Sequence, residues 1–122
     1  MKKKPAPPTI DQRRAQWLKG VLDLCVLVQL RRGEAYGYEL ARALEDRGLG
    51  EIKGGTLYPL LNRLERDGLV TTAWRASDQG PDRKYYRISN LGATELETAR
   101  RAWGDFAAIA QSVISESERE LK

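Results

Sequence analysis

Residues 54–70 read GGTLYPLLNRLERDGLV, and their spacing predicts an amphipathic helix. At roughly 100° per residue, the leucines of this stretch fall within one stripe: Leu57, Leu60, Leu61 and Leu64. The opposite side carries Pro59, Asn62, Arg63 and Arg66, with Tyr58 on its flank. One face is therefore predicted to pack on a hydrophobic core, and the other, polar and basic, to meet a partner.

Both ends of this helix are predicted from local signals. Thr56 is a suitable N-cap, which makes Pro59 the third helical residue, where its missing N–H costs no hydrogen bond. Gly54 and Gly55 would then allow a tight approach just before the cap. Gly68 would end the helix in a left-handed conformation. The predicted helix spans residues 56–67.

The charge balance permits a nucleic acid partner without requiring one. The 122 residues include 21 Lys and Arg against 17 Asp and Glu, a net charge of +4, and a chain of this length usually forms one domain. Residues 1–10 are basic and then proline-rich, with no apolar signal core, and are predicted to be a disordered arm. The lysines of this arm either contact phosphate or keep the arm solvated. No apolar run is long enough to span a bilayer.

The residue types argue against an enzyme. Histidine is absent, which removes the commonest general base and most zinc sites. Cys25 is the one cysteine, and it lies in an apolar helical run where a buried thiol is expected. The phosphate-cradling sequence GxxxxGK(S/T) is also absent. We therefore predict no catalytic residue, no metal site and no cofactor.

Two further helices are predicted before residue 54. Apolar positions repeat at helical spacing from about residue 11 to residue 31, and segment 22–30 is apolar nearly all round, as in a buried helix. A second helix follows through about residue 47. Its apolar stripe consists of Leu40, Ala41 and Leu44, supported by Tyr36 or Tyr38.

After Gly68 the pattern changes to that of a β-hairpin. Residues 69–74 and 83–88 are rich in strand-forming side chains, and residues 78–82 are dense in turn residues. A long helix is then predicted, capped by Ser89 or Asn90 and ending at about residue 116.

The long helix carries apolar residues at alternating intervals of three and four, the heptad spacing of a helix that packs along a partner helix. These residues are Leu96, Ala99, Trp103, Phe106, Ala110 and Val113. We predict that this seam forms a dimer interface. The first helix would add Val21, Leu24, Cys25 and Val28 to the same interface.

This order of elements is typical of a winged helix-turn-helix, mainly α with a small β-hairpin, joined to a C-terminal dimerisation helix. The DNA-binding domain would span residues 11–89, with a recognition helix at about 56–67 and a wing at about 69–89. The dimerisation helix would span residues 90–116, and residues 117–122 would form a tail. In such a fold the recognition helix enters the major groove of double-stranded DNA, and the hairpin flanks it.

The sequence resembles the PadR-type transcriptional regulators over about residues 14–115. The resemblance rests on Gly55-Thr56-Leu57-Tyr58-Pro59, Arg63-Leu64-Glu65, Gly68-Leu69-Val70, Trp74, Arg83-Lys84-Tyr85-Tyr86-Arg87-Ile88, Gly92, Leu18-Lys19-Gly20 and Tyr36-Gly37-Tyr38-Glu39-Leu40. The final helix is similar to that of the subfamily with a single short C-terminal helix. The resemblance implies a bacterial cytoplasmic regulator, usually a repressor, that binds a palindromic operator as a homodimer. It also implies a response to a small, often aromatic effector, and association with the nucleoid when DNA is bound.

The candidate DNA contacts are Tyr36, Thr56, Tyr58, Asn62, Arg63, Arg66, Arg75, Arg83 and Lys84. Because Asn and Arg side chains read adenine and guanine edges, Asn62 and Arg63 are predicted to contact bases, and Arg66 phosphate. The wing residues are predicted to approach phosphate or the minor groove and to set affinity rather than specificity. The alternative for Arg63 is an ion pair with Asp67 at helical spacing, and the alternative for Tyr38 is core packing.

Trp103 and Phe106 admit two interpretations. They form the core of a dimer, or they line a cavity for a planar effector between subunits together with Trp17. The alternative function for the whole chain is a winged-helix protein-interaction module without specific DNA binding, because a fold alone does not determine function.

Overall fold

The computed structural model of the chain describes residues 4–120, with side chains through residue 116. The elements are α1 Ile10–Arg31, β1 Ala35–Tyr36, α2 Gly37–Leu44, a π-helical turn Glu45–Leu49, α3 Gly54–Arg66, β2 Val70–Ser77, β3 Gly80–Ile88 and α4 Asn90–Glu120. The strands form one antiparallel sheet in the order β1-β3-β2. The fold is a winged helix-turn-helix with a long C-terminal helix, as predicted.

One hydrophobic core joins the helices to the base of the sheet. Its buried members are Leu18, Leu22, Val26, Leu27, Leu30, Leu40, Leu44, Ile52, Leu57, Leu60, Leu61, Leu64, Val70, Tyr86 and Leu96. The predicted leucine stripe of α3 is confirmed, because all of its members belong to this core. Within residues 4–120, no helix has the length and apolar character needed to cross a membrane.

Helix α1 begins at Ile10, which the prediction placed in the N-terminal arm. Thr9 caps the helix: its hydroxyl accepts a hydrogen bond from the Gln12 backbone at 3.1 Å, and its backbone N–H donates to the Gln12 side chain at 2.8 Å. This reciprocal pair satisfies two donors at the helix start. Residues 4–9 are exposed and have no regular secondary structure. The predicted arm at residues 1–3 lies outside the described residues.

Helix α3 begins at Gly54, so the prediction that Thr56 is the N-cap is wrong. The backbone amides of Thr56 and Leu57 both donate to the Lys53 carbonyl, at 2.9 Å and 3.0 Å, which makes Lys53 the cap. Gly54 and Gly55 therefore lie in the first turn, and Pro59 lies inside the helix. Its missing N–H would have bonded the Gly55 carbonyl, and Gly55 is exposed, so water can satisfy that carbonyl instead.

Gly68 ends α3, as predicted. It adopts a left-handed φ of 77°. Its amide donates to the Glu65 carbonyl at 3.0 Å, and the Leu69 amide donates to the Leu64 carbonyl at 2.9 Å. These two bonds form a Schellman motif, and they turn the chain from α3 directly into β2.

Helix α2 ends at Leu44, short of the predicted residue 47, and continues as a π-helical turn. Two side chains hold this turn. Arg14 donates to the Gly48 carbonyl at 2.8 Å, and the Glu45 carboxylate accepts from the Ile52 amide at 2.8 Å. The connection between α2 and α3 is therefore tied to α1, and a bond within it holds Ile52 just before α3 begins.

The hairpin is longer than predicted, and a third strand joins it. Strand β2 continues to Ser77 and strand β3 begins at Gly80. Residues 80–82, which were predicted to form the turn, therefore belong to β3. Strand β1 pairs Ala35 with Tyr86 and Tyr36 with Tyr85. This two-residue strand ties the wing to the start of α2.

The first turn of α4, called its root below, packs against the residues that follow α3. The Ser89 hydroxyl donates to the Gly68 carbonyl at 2.6 Å and accepts from the Gly92 amide at 2.9 Å, so Ser89 is the cap. A Cβ at Gly92 would overlap the Leu69 carbonyl oxygen. The helix continues through Glu120, so residues 117–120 of the predicted tail are helical, and residues 121–122 lie outside the described part of the chain.

Candidate nucleic-acid interface

The outer face of α3 is open to solvent, as the amphipathic pattern predicts. Asn62, Arg63 and Arg66 are exposed, and Thr56 is partly exposed in the first turn. The leucines opposite them are at most 6% exposed, so the helix cannot rotate without uncovering the core. The polar face is thereby held in a single orientation.

The two arginines of this face differ in their surroundings. Arg66 lies beside Asp67, with Nε and Oδ1 separated by 3.3 Å. Within the described residues, Arg63 forms no ion pair, so the alternative pairing of Arg63 with Asp67 is not observed. The Arg63 guanidinium is therefore available to a partner without first leaving a carboxylate.

Tyr58 joins α3 to the start of α2. A Cβ at Gly37 would lie 2.5 Å from the Tyr58 hydroxyl oxygen, so only glycine allows this approach. The Tyr58 side chain remains 45% exposed. Tyr38 is 61% exposed and its hydroxyl accepts a hydrogen bond from Arg42 at 3.1 Å, so the core-packing alternative for Tyr38 is wrong.

The wing face that meets α3 is held by one carboxylate. Glu65 accepts hydrogen bonds from Lys84 Nζ of β3 and from the Thr72 hydroxyl of β2, both at 2.8 Å. The bond from Lys84, and after it the bond from Thr72, lowers the pKa of Glu65 below its ordinary value. The same bond raises the pKa of Lys84. Lys84, predicted to contact DNA, is thus engaged by α3 in the free chain.

The opposite wing face carries arginines around tyrosine rings. Arg75 forms an ion pair with Glu34, with a second contact at 2.8 Å, and its guanidinium lies 5.0 Å from the Tyr85 ring centre. Arg83 lies 4.5 Å from the Tyr36 ring centre. The Tyr36 and Tyr85 rings meet edge to face at 5.4 Å. Arg75 is therefore paired with a carboxylate, whereas Arg83 lies over an aromatic ring and has no ion pair among the described residues.

Trp74 was not among the predicted contacts. Its indole is 67% exposed. It lies opposite Lys84 in the β2–β3 register. With Tyr58 and Lys84 it lines a cleft of about 260 Å³ between the wing and α3. The alternation of β2 carried this signal: Trp74 is two residues beyond Thr72, so both side chains point to the α3 side of the sheet.

A second cavity, of about 310 Å³, lies between α1, the end of α2 and the root of α4. It is lined by Val21, Leu24, Cys25, Val28, Leu44, Arg47, Leu49, Leu96, Arg100 and Trp103. Trp103 lines this cavity, and Trp17 and Phe106 do not. The cavity lies within one chain, whereas the predicted effector cavity lies between subunits and stays a prediction. Trp17 lies too far toward the start of α1 and is 61% exposed. Cys25 is only partly buried, and its burial raises the pKa of the thiol.

The predicted heptad seam of α4 is buried at its N-terminal end, at Leu96, and exposed farther along the helix. Leu96 is 0% exposed in the core of its own chain and has no surface to offer a second copy, so its assignment to a dimer interface is wrong. Beyond it, Trp103, Phe106 and Val113 are exposed, with Ile109 and Ile114 beside them. The rings of Trp103 and Phe106 are 6.2 Å apart.

The described residues contain no group of three or more His, Cys, Asp or Glu side chains that could hold a metal ion.

Comparison with known proteins gives one consistent result. The profile of the family described as "Transcriptional regulator PadR-like family" matches residues 26–98. The chain is similar to a transcriptional regulator of Mycobacterium tuberculosis, with 34% identity over 92 residues that cover 75% of this chain and 84% of that protein. The structure is similar to a PadR-like transcriptional regulator from Bacillus cereus, with 37% identity and a TM-score of 0.70 over 81% of this chain and 96% of that one. It is also similar to a PadR family transcriptional regulator from Eggerthella lenta, with 33% identity and a TM-score of 0.77 over 86% of this chain and 91% of that one.

Proposed function

The chain belongs to the PadR-like family of transcriptional regulators, a family of DNA-binding proteins and not of enzymes, and from this premise we propose that it is a repressor that binds a palindromic operator as a homodimer. The observation that carries the proposal is the outer face of α3, where Asn62, Arg63 and Arg66 are exposed opposite a buried leucine stripe. A helix held in this way can enter the major groove with its polar edge first.

The proposed contacts follow from the surroundings of each side chain. Asn62 and Arg63 read base edges, because both are exposed and Arg63 has no ion pair among the described residues. Thr56, Tyr58 and Arg66 contact phosphate. On the wing, Arg83 contacts phosphate or the minor groove with help from Tyr36. Arg75 takes part only after leaving Glu34, and Lys84 stays bonded to Glu65 and makes no direct contact.

The exposed apolar residues of α4 support the homodimer. Trp103, Phe106 and Val113 lie on one seam, with the partly buried Ala99 and Ala110 between them. Val21, Leu24 and Val28 of α1 are partly exposed and extend this surface. A contiguous apolar surface of this kind marks a protein interface. A two-fold dimer would present two α3 helices to half-sites about 34–36 Å apart.

We propose a small, possibly aromatic, effector as the releasing signal, bound beside Trp103 in the α1–α2–α4 cavity. At about 310 Å³, the cavity is near the lower end of the ligand-site range, about 300–1,000 Å³. Binding would release DNA only if the effector binds the free and DNA-bound states with different affinity. We expect a planar effector to quench Trp103 fluorescence saturably, and Trp103→Ala to abolish the quenching with the dimer intact. Absence of quenching across a library of planar compounds would contradict this assignment.

The operator is tested by selection from fragmented genomic DNA at physiological salt. Wild type is compared with a folded Arg63→Ala, Arg66→Ala double variant. We expect wild type to enrich a palindromic fragment and the variant to lose that enrichment. Weak, salt-labile binding by both proteins, without enrichment, would instead favour a protein partner for the exposed face of α3.

A further inference from the structure

We propose that Glu65 is a positioning residue that sets the angle between the recognition helix and the wing, so that both reach the operator together. This inference rests on the proposed DNA-binding function and adds to it a residue on the inner flank of α3 that contacts no DNA. The juxtaposition that carries it is one carboxylate bonded to both strands of the wing.

The contacts of Glu65 cross three elements. The side chain leaves α3 in its last turn and meets Lys84 of β3 at 2.8 Å and Thr72 of β2 at 2.8 Å. Thr72 and Lys84 lie on the same side of the hairpin as the buried Tyr86, because Tyr86 is two residues beyond Lys84 and opposite Thr72 in the register. The wing is therefore held near the base of the hairpin.

The charge of Glu65 has two opposite effects on DNA binding. A carboxylate near DNA repels phosphate, and replacing it with an amide should strengthen binding to every sequence. A carboxylate that holds the wing acts in the other direction, because its loss lets the wing move and the two contact surfaces lose their common geometry. The Lys84 side chain is only 26% exposed, which favours the second effect since this pair is partly withdrawn from solvent.

Glu34 provides the contrast on the opposite wing face. It holds Arg75 and Arg87, both in the wing, but it belongs to the segment before β1 and not to the recognition helix. Glu34 therefore braces the sheet without linking it to α3. Among the ion pairs of the described residues, only the one between Glu65 and Lys84 joins α3 to the wing.

The test compares wild type with Glu65→Gln on the selected operator and on a scrambled duplex of equal length, across a salt series. Glu51→Gln is the matched control, because it removes the same charge from an exposed side chain just before α3. We expect Glu65→Gln to lower operator affinity by about tenfold, to leave scrambled-duplex affinity unchanged and to keep the salt slope. Glu51→Gln should weaken neither complex.

Thr72→Val provides a second variant that keeps the carboxylate and removes one of its bonds. We expect it to lower operator affinity by about threefold and to add nothing to Glu65→Gln, since both act through one contact. Operator affinity that is unchanged or increased in Glu65→Gln, as in Glu51→Gln, would overturn the proposal.

Hydrogen exchange separates this proposal from the proposed function. If wild type itself does not prefer the operator, the DNA-binding proposal fails, and the positioning role is decided by exchange alone. We expect Glu65→Gln to speed exchange of the β2 and β3 amides around Thr72 and Lys84 by about fivefold or more, with the amides of α1 unchanged. Unchanged exchange in the wing would overturn the positioning role.

Discussion

At the scale of single residues, charge alone does not identify a DNA contact. Lys84 and Arg75 are basic and lie on the wing, yet both are engaged by carboxylates of their own chain. Arg63 has no such partner among the described residues, and Arg83 lies over an aromatic ring. The basic residues of the candidate interface therefore differ in how readily each side chain can pair with a phosphate.

Substituting Arg63 and Arg66 separately should distinguish base reading from phosphate contact. We expect Arg63→Ala to weaken the operator complex by about 1–3 kcal/mol and to relax sequence preference. Arg66→Ala should weaken operator and scrambled DNA alike and reduce the salt slope by about one, because a phosphate contact carries no sequence information. Fluorescence anisotropy across a salt series measures both. Equal losses on the two duplexes with Arg63→Ala would contradict the base-reading role.

The sequence predicted single residues best where one local property decides the outcome. Gly68 is predictable because glycine readily takes the left-handed conformation that ends a helix. The α3 leucines are predictable because they repeat at helical spacing. The predicted cap at Thr56 is wrong because the chain is already held at Ile52, which is buried in the core and donates its amide hydrogen to the Glu45 carboxylate. The helix therefore begins two residues earlier than the side-chain pattern suggests. Glu65 was not singled out, since its partners lie 7 and 19 residues away.

At the scale of elements, the wing is attached at its base by α3 and along one edge by β1. Strand β1 has two residues and no sequence pattern of its own, because it exists only through pairing with Tyr85 and Tyr86. The sequence therefore predicted the hairpin and not the three-stranded sheet. Attachment at both places makes the wing part of the helical domain.

The Glu65 contact gives the wing a defined pH dependence. Because the pKa of Glu65 is lowered by folding, its contribution to the free energy of unfolding is present above the ordinary glutamate pKa of about 4.3 and is lost as the pH falls through the lowered value. Lys84, whose pKa is raised by the bond to Glu65, stays protonated throughout this acidic range. Urea unfolding should show wild type more stable than Glu65→Gln at neutral pH, with the difference shrinking as the pH falls below the ordinary glutamate pKa of about 4.3. A constant difference across this range would contradict the assignment.

The root of α4 should tolerate no side chain larger than hydrogen at Gly92. We expect Gly92→Ala to lower the free energy of unfolding by about 1–3 kcal/mol, because its methyl group meets the rigid Leu69 carbonyl. Gly104→Ala, in open space on the same helix, should raise it by about 0.5–1 kcal/mol. Thermal and urea unfolding measure both changes. A Gly92→Ala variant as stable as wild type would show that the junction between α3 and α4 can relax.

At the scale of the whole molecule, the family predicted from the sequence is confirmed, and so is the fold. The dimer and the effector remain predictions, because they depend on a second copy or a ligand, and the subfamily remains a prediction as well. The apolar period of α4 could be read from the sequence, but a period does not tell which of its residues one chain has already buried. Leu96 is such a residue.

Phe106→Glu tests the dimer directly. We expect this charge on the exposed seam of α4 to give a folded monomer in sedimentation. Operator binding should weaken at least about a hundredfold, because two linked recognition helices would no longer bind the two half-sites as one unit. Ala108→Glu, on the outer side of the same helix, should leave the dimer intact. A Phe106→Glu variant that still sediments as a dimer would place the interface elsewhere.

The length of α4 gives its narrow base a mechanical consequence. The helix has 31 residues, or roughly 46 Å, and it is fixed to the DNA-reading domain at the tight contact of Gly92 with Leu69. It can therefore work as a lever whose fulcrum is that contact. A tilt of one degree there would displace the far end by roughly 0.8 Å. In a pair of such levers, a molecule that wedges the helix beside Trp103, nearer the fulcrum than the far end, could change the distance between the two DNA-binding domains.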